Sequence, residues 1–501
     1  MFFIPGYKIK KYEFDEKFLL SCLPENFKFY VKPYYHQLLS VVFGLQFDFG
    51  VGMFHKMGTG KTKIAIDLLR AKGITDKILV ITVGAITRNW SEEFKKNSGG
   101  KYFSIIVEGS SDNKEYLLSL PSDVYIVNYE GTFRRFPKIS KNIRRAMPIE
   151  EMMLVGLNKE WNAVIYDESR LIMNPSAIRT KIAMTLAHMS KFGIILTGLP
   201  IAKSMEEIFC QQYCVDLGKV FGDNFNKFKR EYFIKKFQRY FPVWEPREGA
   251  EEEINQKMYT YGMRYTAEEC FDLPDKVYMD RSVNMYGDQL RFYNELKAKK
   301  IKIIRTMKQN AFVIRDILIK FMQICGGWVK AGEDEFRSFD NNVKLDELDY
   351  LINGELQGEK VVIVASFVAE QKGIFEHLLR KRISTLMVKA GMDSNHIYDN
   401  VKEFNENPDM RCLVISPRVG GRGISIKASY MIFFSQDFDI DINKQVEDRI
   451  YGSGRGIEGK SSIYIRLRCS NSADEKVQAI LDKNKNLIDV VVEGKTLEDL
   501  I

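Results

Sequence analysis

Two short stretches hold residues that could do chemistry together. Residues 54–63 read F-H-K-M-G-T-G-K-T-K, between a largely apolar stretch (Leu38 to Phe54) and a helix-forming run (Thr62 to Arg70). A glycine-rich turn between a strand and a helix exposes consecutive backbone N–H groups, which with the helix N-terminus form a nest for phosphate. Gly58, Thr59 and Gly60 supply that turn, the glycines because side chains would block the approach of phosphate to the backbone. Lys61 is placed to reach β- and γ-phosphates and Thr62 to ligate magnesium, so ATP and Mg²⁺ are the expected cofactors. His55 stands where the usual G-x-x-x-x-G-K-[ST] spacing has its first glycine. The second stretch, V-I-Y-D-E-S-R from Val164 to Arg170, ends an apolar strand on Asp167 and Glu168. Open α/β sheets bind ligands at such strand tips. One carboxylate, Asp167, can hold the Mg²⁺ shell while Glu168 polarises the attacking water. Taken singly, the first stretch could be a tight turn with an exposed lysine, and the second a solvated loop. In this order within one α/β block, they point to nucleotide chemistry.

Such residues need rigid strands to hold them, and the apolar runs supply two sets. The first comprises Lys77–Thr82, Asp123–Asn128, Ala163–Tyr166 and Gly193–Thr197. The second comprises Lys360–Ala365, Thr385–Val388, Arg411–Ser416, Tyr430–Phe434 and Ser462–Arg466. Continuous apolar runs of this length suit parallel strands covered on both faces. Between them, residues 216–340 read as mostly helical, charged and aromatic. The expected division is an N-terminal extension (1–30), an ATP-binding lobe (31–215), a helical inter-lobe region (216–340), a second lobe (341–490) and a tail (491–501).

With 501 residues the chain is too long for one ordinary domain and right for two or three. Its net charge of +8 is compatible with a polyanionic partner without requiring one. The seven cysteines include no Cys-x-x-Cys and no zinc-ligand spacing with histidine, which suggests a reducing compartment. Cys210 and Cys214 read as two small buried residues on one helix face. No uninterrupted apolar run approaches the roughly 18 residues of a membrane span, and the first residues lack a signal peptide's apolar core. A cytoplasmic protein with no membrane partner is expected, in a bacterial or host cell.

Several further motifs fall in a telling order. Tyr34-Tyr35-His36-Gln37 precedes the phosphate loop, and I-L-V-I-T-V-G-A-I-T-R-N-W-S-E-E-F (Ile78–Phe94) follows it. Then come V-N-Y-E (Val127–Glu130), D-E-S-R (Asp167–Arg170), T-G-L-P (Thr197–Pro200) and E-C-F-D-L-P-D-K (Glu269–Lys276). F-M-Q-I-C (Phe321–Cys325), K-L-D-E-L (Lys344–Leu348), S-P-R-V-G-G-R-G-I-S (Ser416–Ser425) and Q-V-E-D-R-I-Y-G-S-G-R (Gln445–Arg455) complete the series. From Tyr34 to Leu487 the chain resembles the superfamily 2 helicases and translocases, closest to the Swi/Snf remodeller-like branch. That resemblance implies an α/β fold of two RecA-like parallel-sheet lobes with a helical inter-lobe insertion. It assigns adenine reading to Gln37 and strand contacts to Arg88, Asn89 and Trp90. It has Thr197 couple hydrolysis to motion beside the nucleic acid, and lets the backbone at Gly420, Gly421 and Arg422 approach phosphates. It also implies that arginines of the second lobe complete the ATP site of the first, with Arg449 and Arg455 in that role. Three departures stand out: Arg170 replaces the family's histidine, Gly452 its second arginine, and Val83 a proline of the first strand-contact motif. Arg455 serves as a finger only if its loop folds back.

Phe133–Arg145 has six basic residues and no acid, among them Arg134, Arg135 and Lys138. Such a run either favours nucleic-acid phosphates, with salt-sensitive and sequence-independent affinity, or is a solvated loop. Leu296–Lys308 reads as a solvated helix face, and Tyr232, Phe233, Phe237, Tyr240, Phe241 and Trp244 as packing of an inserted helix rather than a base-stacking surface. The reading is an ATP-driven motor on duplex, forked or branched DNA, and the compact length suggests a viral, phage or bacterial source. The alternatives are an RNA or RNA–DNA helicase, a motor subunit of a larger complex, and an ATP-gated clamp that barely hydrolyses. A metabolic P-loop kinase explains neither the second strand set nor Gln445–Arg455.

Overall fold

A computed structural model describes residues 14–134, 148–202, 204–238, 241–271, 273, 275–304, 311–330, 336–420, 425–451 and 460–482. The chain divides into two compact units, the first ending at Asp272 and the second beginning at Leu273.

The first unit is built on a seven-stranded sheet. Its strands are β1 (Gly50–Met53), β2 (Ile78–Thr82), β3 (Ser104–Val107), β4 (Val124–Asn128), β5 (Ala163–Asp167) and β6 (Gly193–Leu196). A seventh comes from the inter-lobe span, which also folds an antiparallel hairpin from β7 (Phe233–Gln238) and β8 (Phe241–Pro246) before β9 (Gly262–Met263) joins the sheet. The order is β3-β4-β2-β5-β6-β1-β9, and every pairing is parallel. Both faces are covered, so side chains of both parities are apolar. Ile78, Val80, Val124, Ile126 and Ile165 pack into one core, whereas Leu79, Ile81, Tyr125, Val127 and Tyr166 pack into the other. Each fully buried aliphatic side chain contributes about 1.5–3 kcal/mol, which makes the strands a stiff platform. Their shared C-terminal edge carries Met53, Thr82, Asn128, Asp167 and Leu196, and the functional loops leave from there.

The second unit has a six-stranded sheet. The strands are β10 (Lys276–Val283), β13 (Val361–Val364), β14 (Thr385–Val388), β15 (Cys412–Ile415), β16 (Tyr430–Phe433) and β17 (Ser462–Cys469), with a small hairpin of β11 (Trp328–Lys330) and β12 (Phe336–Ser338). The order β10-β17-β16-β13-β15-β14 is parallel throughout.

Two expected boundaries need correction. Residues 216–340 are not one helical region: they are shared between the units and supply strands to both sheets as well as helices such as Gly287–Ile304 and Ala311–Cys325. These strands lack the continuous apolar signature because β10 is an exposed edge mixing Lys276, Asp280 and Arg281 with Val277 and Met279, and β9 is only two residues long. The aromatic run expected on an inserted helix instead ends one at Tyr232 and continues as the β7–β8 hairpin. Nor is the N-terminal segment a separate extension from Phe14 onward, since Leu19 is buried in the first unit's core with Phe14, Phe27 and Phe29 against it. The 491–501 tail lies outside the described residues. Cys210 and Cys214 are both buried on the helix Ile208–Asp216, and all seven cysteines are free thiols. Among the described residues no helix is long and apolar enough to cross a membrane.

Candidate nucleotide site

The phosphate loop leaves β1 and ends in the helix Lys61–Ala71. Gly58 and Gly60 take left-handed φ values of 85° and 81°, which a non-glycine residue adopts only with strain. At Gly60 a Cβ would also collide with Nε2 of Gln37. Lys61 Nζ donates to the carbonyl oxygens of His55 (3.0 Å) and Lys56 (3.4 Å), so the ammonium is folded over its own loop. Thr62 follows in the first helical turn.

Gln37 is buried, and both ends of its amide are committed to backbone. Its Oε1 accepts from the N–H of Tyr34 (3.1 Å), and its Nε2 donates to Thr59 O (3.1 Å). In this structure it caps a helix and holds the loop. The reason is local: at the third position of the helix Tyr35–Leu45 a glutamine reaches back to the cap N–H.

Asp167 ends β5 with its carboxylate buried and aimed by two side chains. Thr82 Oγ1 and Trp90 Nε1 each donate to Oδ2 at 2.8 Å, and Oδ1 accepts from the N–H of Glu168 (3.0 Å). The Tyr129 hydroxyl donates to the Asp167 carbonyl at 2.8 Å, and burial followed by the nearby Asp167 carboxylate raises its pKa well above the ordinary phenol value. Glu168 has φ 48°, ψ 50°, a left-handed conformation rare for glutamate that turns its half-buried side chain out of the strand line. Asp167 pairs in register with Leu196, which in turn faces Met53, so carboxylate and phosphate loop lie level and two strands apart. That spacing is roughly 10 Å, suited to a triphosphate with its metal. A hydroxyl and a carboxylate are hard oxygen donors, so the residues present fit Mg²⁺: Thr62 and Asp167 would hold it, and it would neutralise phosphate charge.

Beyond Asp167, Ser169 Oγ donates to Gln211 Oε1 (2.8 Å), whose Nε2 donates to Pro200 O (2.7 Å) and Glu207 O (2.8 Å). This buried relay ties D-E-S-R to T-G-L-P. Arg170 is half-buried in the turn Ser169–Ile172.

Two expected nucleic-acid contacts are corrected. Trp90 is fully buried, its indole N–H spent on Asp167, because on the helix Thr87–Ser98 it shares the inward face with Phe94, four residues on. Thr197 is buried as well: its N–H donates to Met53 O and its hydroxyl oxygen accepts from Leu199 N. Arg88 and Asn89, on the same helix as Trp90, remain half-exposed. Arg134 pairs through Nε with Glu115 Oε1 at 2.7 Å. Arg135 and Lys138 lie outside the described residues, as do Gly421, Arg422, Gly452 and Arg455. Gly420 ends the short helix Pro417–Gly420. Arg449, just past the helix Ile440–Glu447, is buried, and its carbonyl accepts from Ile426 N (3.1 Å). The neighbouring Asp448 is ion-paired at 2.9 Å with Lys276, the lysine of L-P-D-K.

The sequence reading missed Thr82, Trp90 and Tyr129 as supports of Asp167, and His36 and His55 as supports of the loop. The one available signal was the spacing of Trp90 and Phe94, which marks an inward helix face whose buried indole N–H needs an acceptor.

A glycine-nested phosphate loop, a strand-tip carboxylate pair level with it and a second all-parallel sheet define a two-unit P-loop nucleoside triphosphatase. Residues 35–325 match the SNF2-related domain and residues 343–454 the helicase conserved C-terminal domain. The chain belongs to the SNF2-related family. Similar proteins include the human DNA annealing helicase and endonuclease ZRANB3, 21% identical over 95% of this chain and 42% of that protein. The CHD3-type chromatin-remodeling factor CHR7 of Arabidopsis thaliana is 23% identical over 88% of this chain and 35% of its own length. The DNA repair and recombination protein RAD54-like of Drosophila willistoni is 23% identical over 89% of this chain and 60% of its own. The chain thus spans 35–60% of the length of these relatives. Among solved structures, the Sulfolobus solfataricus SWI2/SNF2 ATPase core in complex with dsDNA is 21% identical, with a TM-score of 0.41, covering 94% of this chain and 95% of that one.

Proposed function

We propose that the chain is an ATP-driven translocase on duplex, forked or branched DNA. One observation carries this reading: the helix Thr87–Ser98 presents Arg88 and Asn89 on its accessible side and Trp90 to the carboxylate of Asp167 on its buried side. A strand gripped at Arg88 and Asn89 therefore bears on the group that orients the metal, which is how nucleic acid would stimulate turnover. Three relatives named for DNA annealing, repair or chromatin remodelling support DNA over RNA.

In this reading Lys61 leaves the carbonyls of His55 and Lys56 for the phosphates, Thr62 and Asp167 hold Mg²⁺, and Glu168 aligns the attacking water. Gln37 reads adenine through the second N–H of Nε2 or the second lone pair of Oε1, keeping its backbone bonds. Arg449 and Arg455 supply the second unit's contribution to transition-state charge, and Gly420, Gly421, Arg422, Arg134, Arg135 and Lys138 contact phosphates. The free thiols accord with a reducing, cytoplasmic setting.

The test is one ATPase assay with duplex DNA, forked DNA, single strands and RNA, with Lys61→Ala as the dead control, paired with displacement of a third strand from a DNA triplex. Duplex or forked DNA should stimulate turnover at least about tenfold and drive displacement. Stimulation by RNA alone would overturn the substrate. Wild-type turnover as slow as that of Lys61→Ala, with DNA still bound, would make the protein an ATP-gated clamp.

A further inference from the structure

His55 holds the first position of the phosphate loop, yet its ring is buried away from the helix that follows. The backbone N–H of Tyr265 donates to His55 Nδ1 at 2.9 Å, so that nitrogen carries a lone pair and the proton sits on Nε2. His55 Nε2–H then donates to Ser40 Oγ (2.9 Å), whose own O–H donates to the carbonyl oxygen of His36 (2.6 Å). The His36 ring bonds through Nε2 to Thr59 O at 2.8 Å, a carbonyl lying between the two left-handed glycines. All these groups are buried.

The partner segment has a definite place in the chain. Tyr261, Met263 and Tyr265 accept in turn from the N–H groups of Gly52 (2.7 Å), Phe54 (2.8 Å) and Lys56 (2.8 Å). The parallel ladder that begins with β1 and β9 thus runs on into the phosphate loop itself. Six residues past Tyr265, Phe271 packs edge-on against Tyr34 (4.9 Å) and His36 (5.1 Å), and the second unit begins at Leu273. The stretch that leads into the second unit is therefore fastened to the nucleotide loop by backbone, by His55 and by an aromatic clasp.

We propose that His55 is a positioning residue that makes the phosphate loop and the lead-in segment Tyr261–Phe271 move as one body, so that occupancy of the loop is relayed along the chain toward the second unit. A glycine at this position, as the usual spacing has it, would leave the Tyr265 N–H and the Ser40 hydroxyl without these bonds and the loop free to shift alone. The inference rests on the motor reading above and adds to it a route of coupling.

The test compares His55→Phe, which keeps ring volume without polar atoms, with His55→Asn, which keeps an acceptor near Nδ1, and His55→Gln, which keeps a donor near Nε2. For each, KM for ATP, DNA-stimulated kcat and triplex displacement per ATP hydrolysed are measured. His55→Phe should raise KM only a few-fold while displacement per ATP falls about tenfold, within the usual span of inter-site coupling. His55→Asn should restore most of that coupling and His55→Gln should not. Full displacement per ATP in His55→Phe would overturn the proposal, as would loss of ATP binding in step with displacement. If His55→Phe does not fold, equal coupling in the Asn and Gln variants overturns it. A wild-type protein without DNA-stimulated turnover would instead refute the motor reading, and that outcome is visible before any variant is made.

Discussion

Replacing Trp90 by phenylalanine distinguishes the buried role of this residue from a strand contact. The substitution keeps an aromatic ring in the core but removes the indole N–H that donates to Asp167 Oδ2 at 2.8 Å, along with the volume of the second ring. Trp90 is fully buried and Asp167 only 6% exposed, so water does not replace the lost donor. A hydrogen bond to a charged group contributes about 1.5–3 kcal/mol, and Thr82, also at 2.8 Å, remains as the other side-chain donor to Oδ2. The carboxylate should therefore lose orientation. Outer partners of a metal ligand typically set about 10–100-fold of metal affinity or activity. The assay is DNA-stimulated ATP turnover titrated with Mg²⁺. Half-saturation should move up by about 10–100-fold, with kcat partly recovered at high Mg²⁺. Thr82→Val should behave alike, and the double variant worse than either. Unchanged Mg²⁺ dependence together with weakened DNA affinity would refute the reasoning and return Trp90 to the nucleic-acid surface.

Gly60→Ala forces a side chain onto a φ of 81° and against Gln37, and left-handed strain alone costs roughly 1–2 kcal/mol. ATP binding by a fluorescent analogue should weaken at least about tenfold, and binding within twofold of wild type would contradict it. Burial pushes the Glu370 carboxyl up to about 7 from 4.5, with Ser435 donating to Oε2 and no hydrogen-bond partner on Oε1 among the described residues. A folded pKa above the unfolded one means this stabilisation is complete below pH 4.5 and lost as pH rises toward 7, about 3 kcal/mol in all. Glu370→Gln should flatten that slope in denaturant unfolding followed across pH, and an unaltered slope would show the carboxyl to be ionised. His55 acts in the opposite sense: burial, then the charges of His36 and Lys61, hold its pKa well below 6.5. Its contribution is intact above pH 6.5 and falls as the solution is acidified, by about 1.4 kcal/mol per pH unit, until the folded ring itself titrates. The same unfolding series on His55→Asn should lack that acid limb. Lys344 sits buried with Nζ 2.6 Å from Asp474 Oδ2 and 2.8 Å from Phe434 O. Lys344→Met leaves Asp474 as an uncompensated buried charge and should cost about 3–5 kcal/mol by chemical denaturation. Wild-type stability in that variant would contradict this account of the pair.

Local sequence was sufficient for what depends on local chemistry. G-T-G-K-T needs no distant partner to make a phosphate nest, because its glycine dihedrals and following helix are encoded within a few residues. The long apolar strands were equally legible, since a strand covered on both faces must be apolar at every position. A strand was expected before the phosphate loop, but β1 could not be bounded within the apolar stretch, because two of its four residues are glycine. β9 and β10 were not recognised as strands, because their identity comes from pairing with β1 and β17.

What tertiary structure alone decided is the direction in which ambiguous side chains point. Trp90 and Thr197 carry the same letters whether they meet a nucleic-acid strand or the core, and only the packing of the helix Thr87–Ser98 and the position of β6 turn them inward. That Gln37 bridges the helix cap and the carbonyl of Thr59 is likewise seen only in the folded chain. His55 shows the limit most clearly, since its acceptor role depends on an N–H that lies 210 residues away. Spacing specifies groups a few residues apart, but a hydrogen bond across that distance exists only once the sheet has brought both ends together.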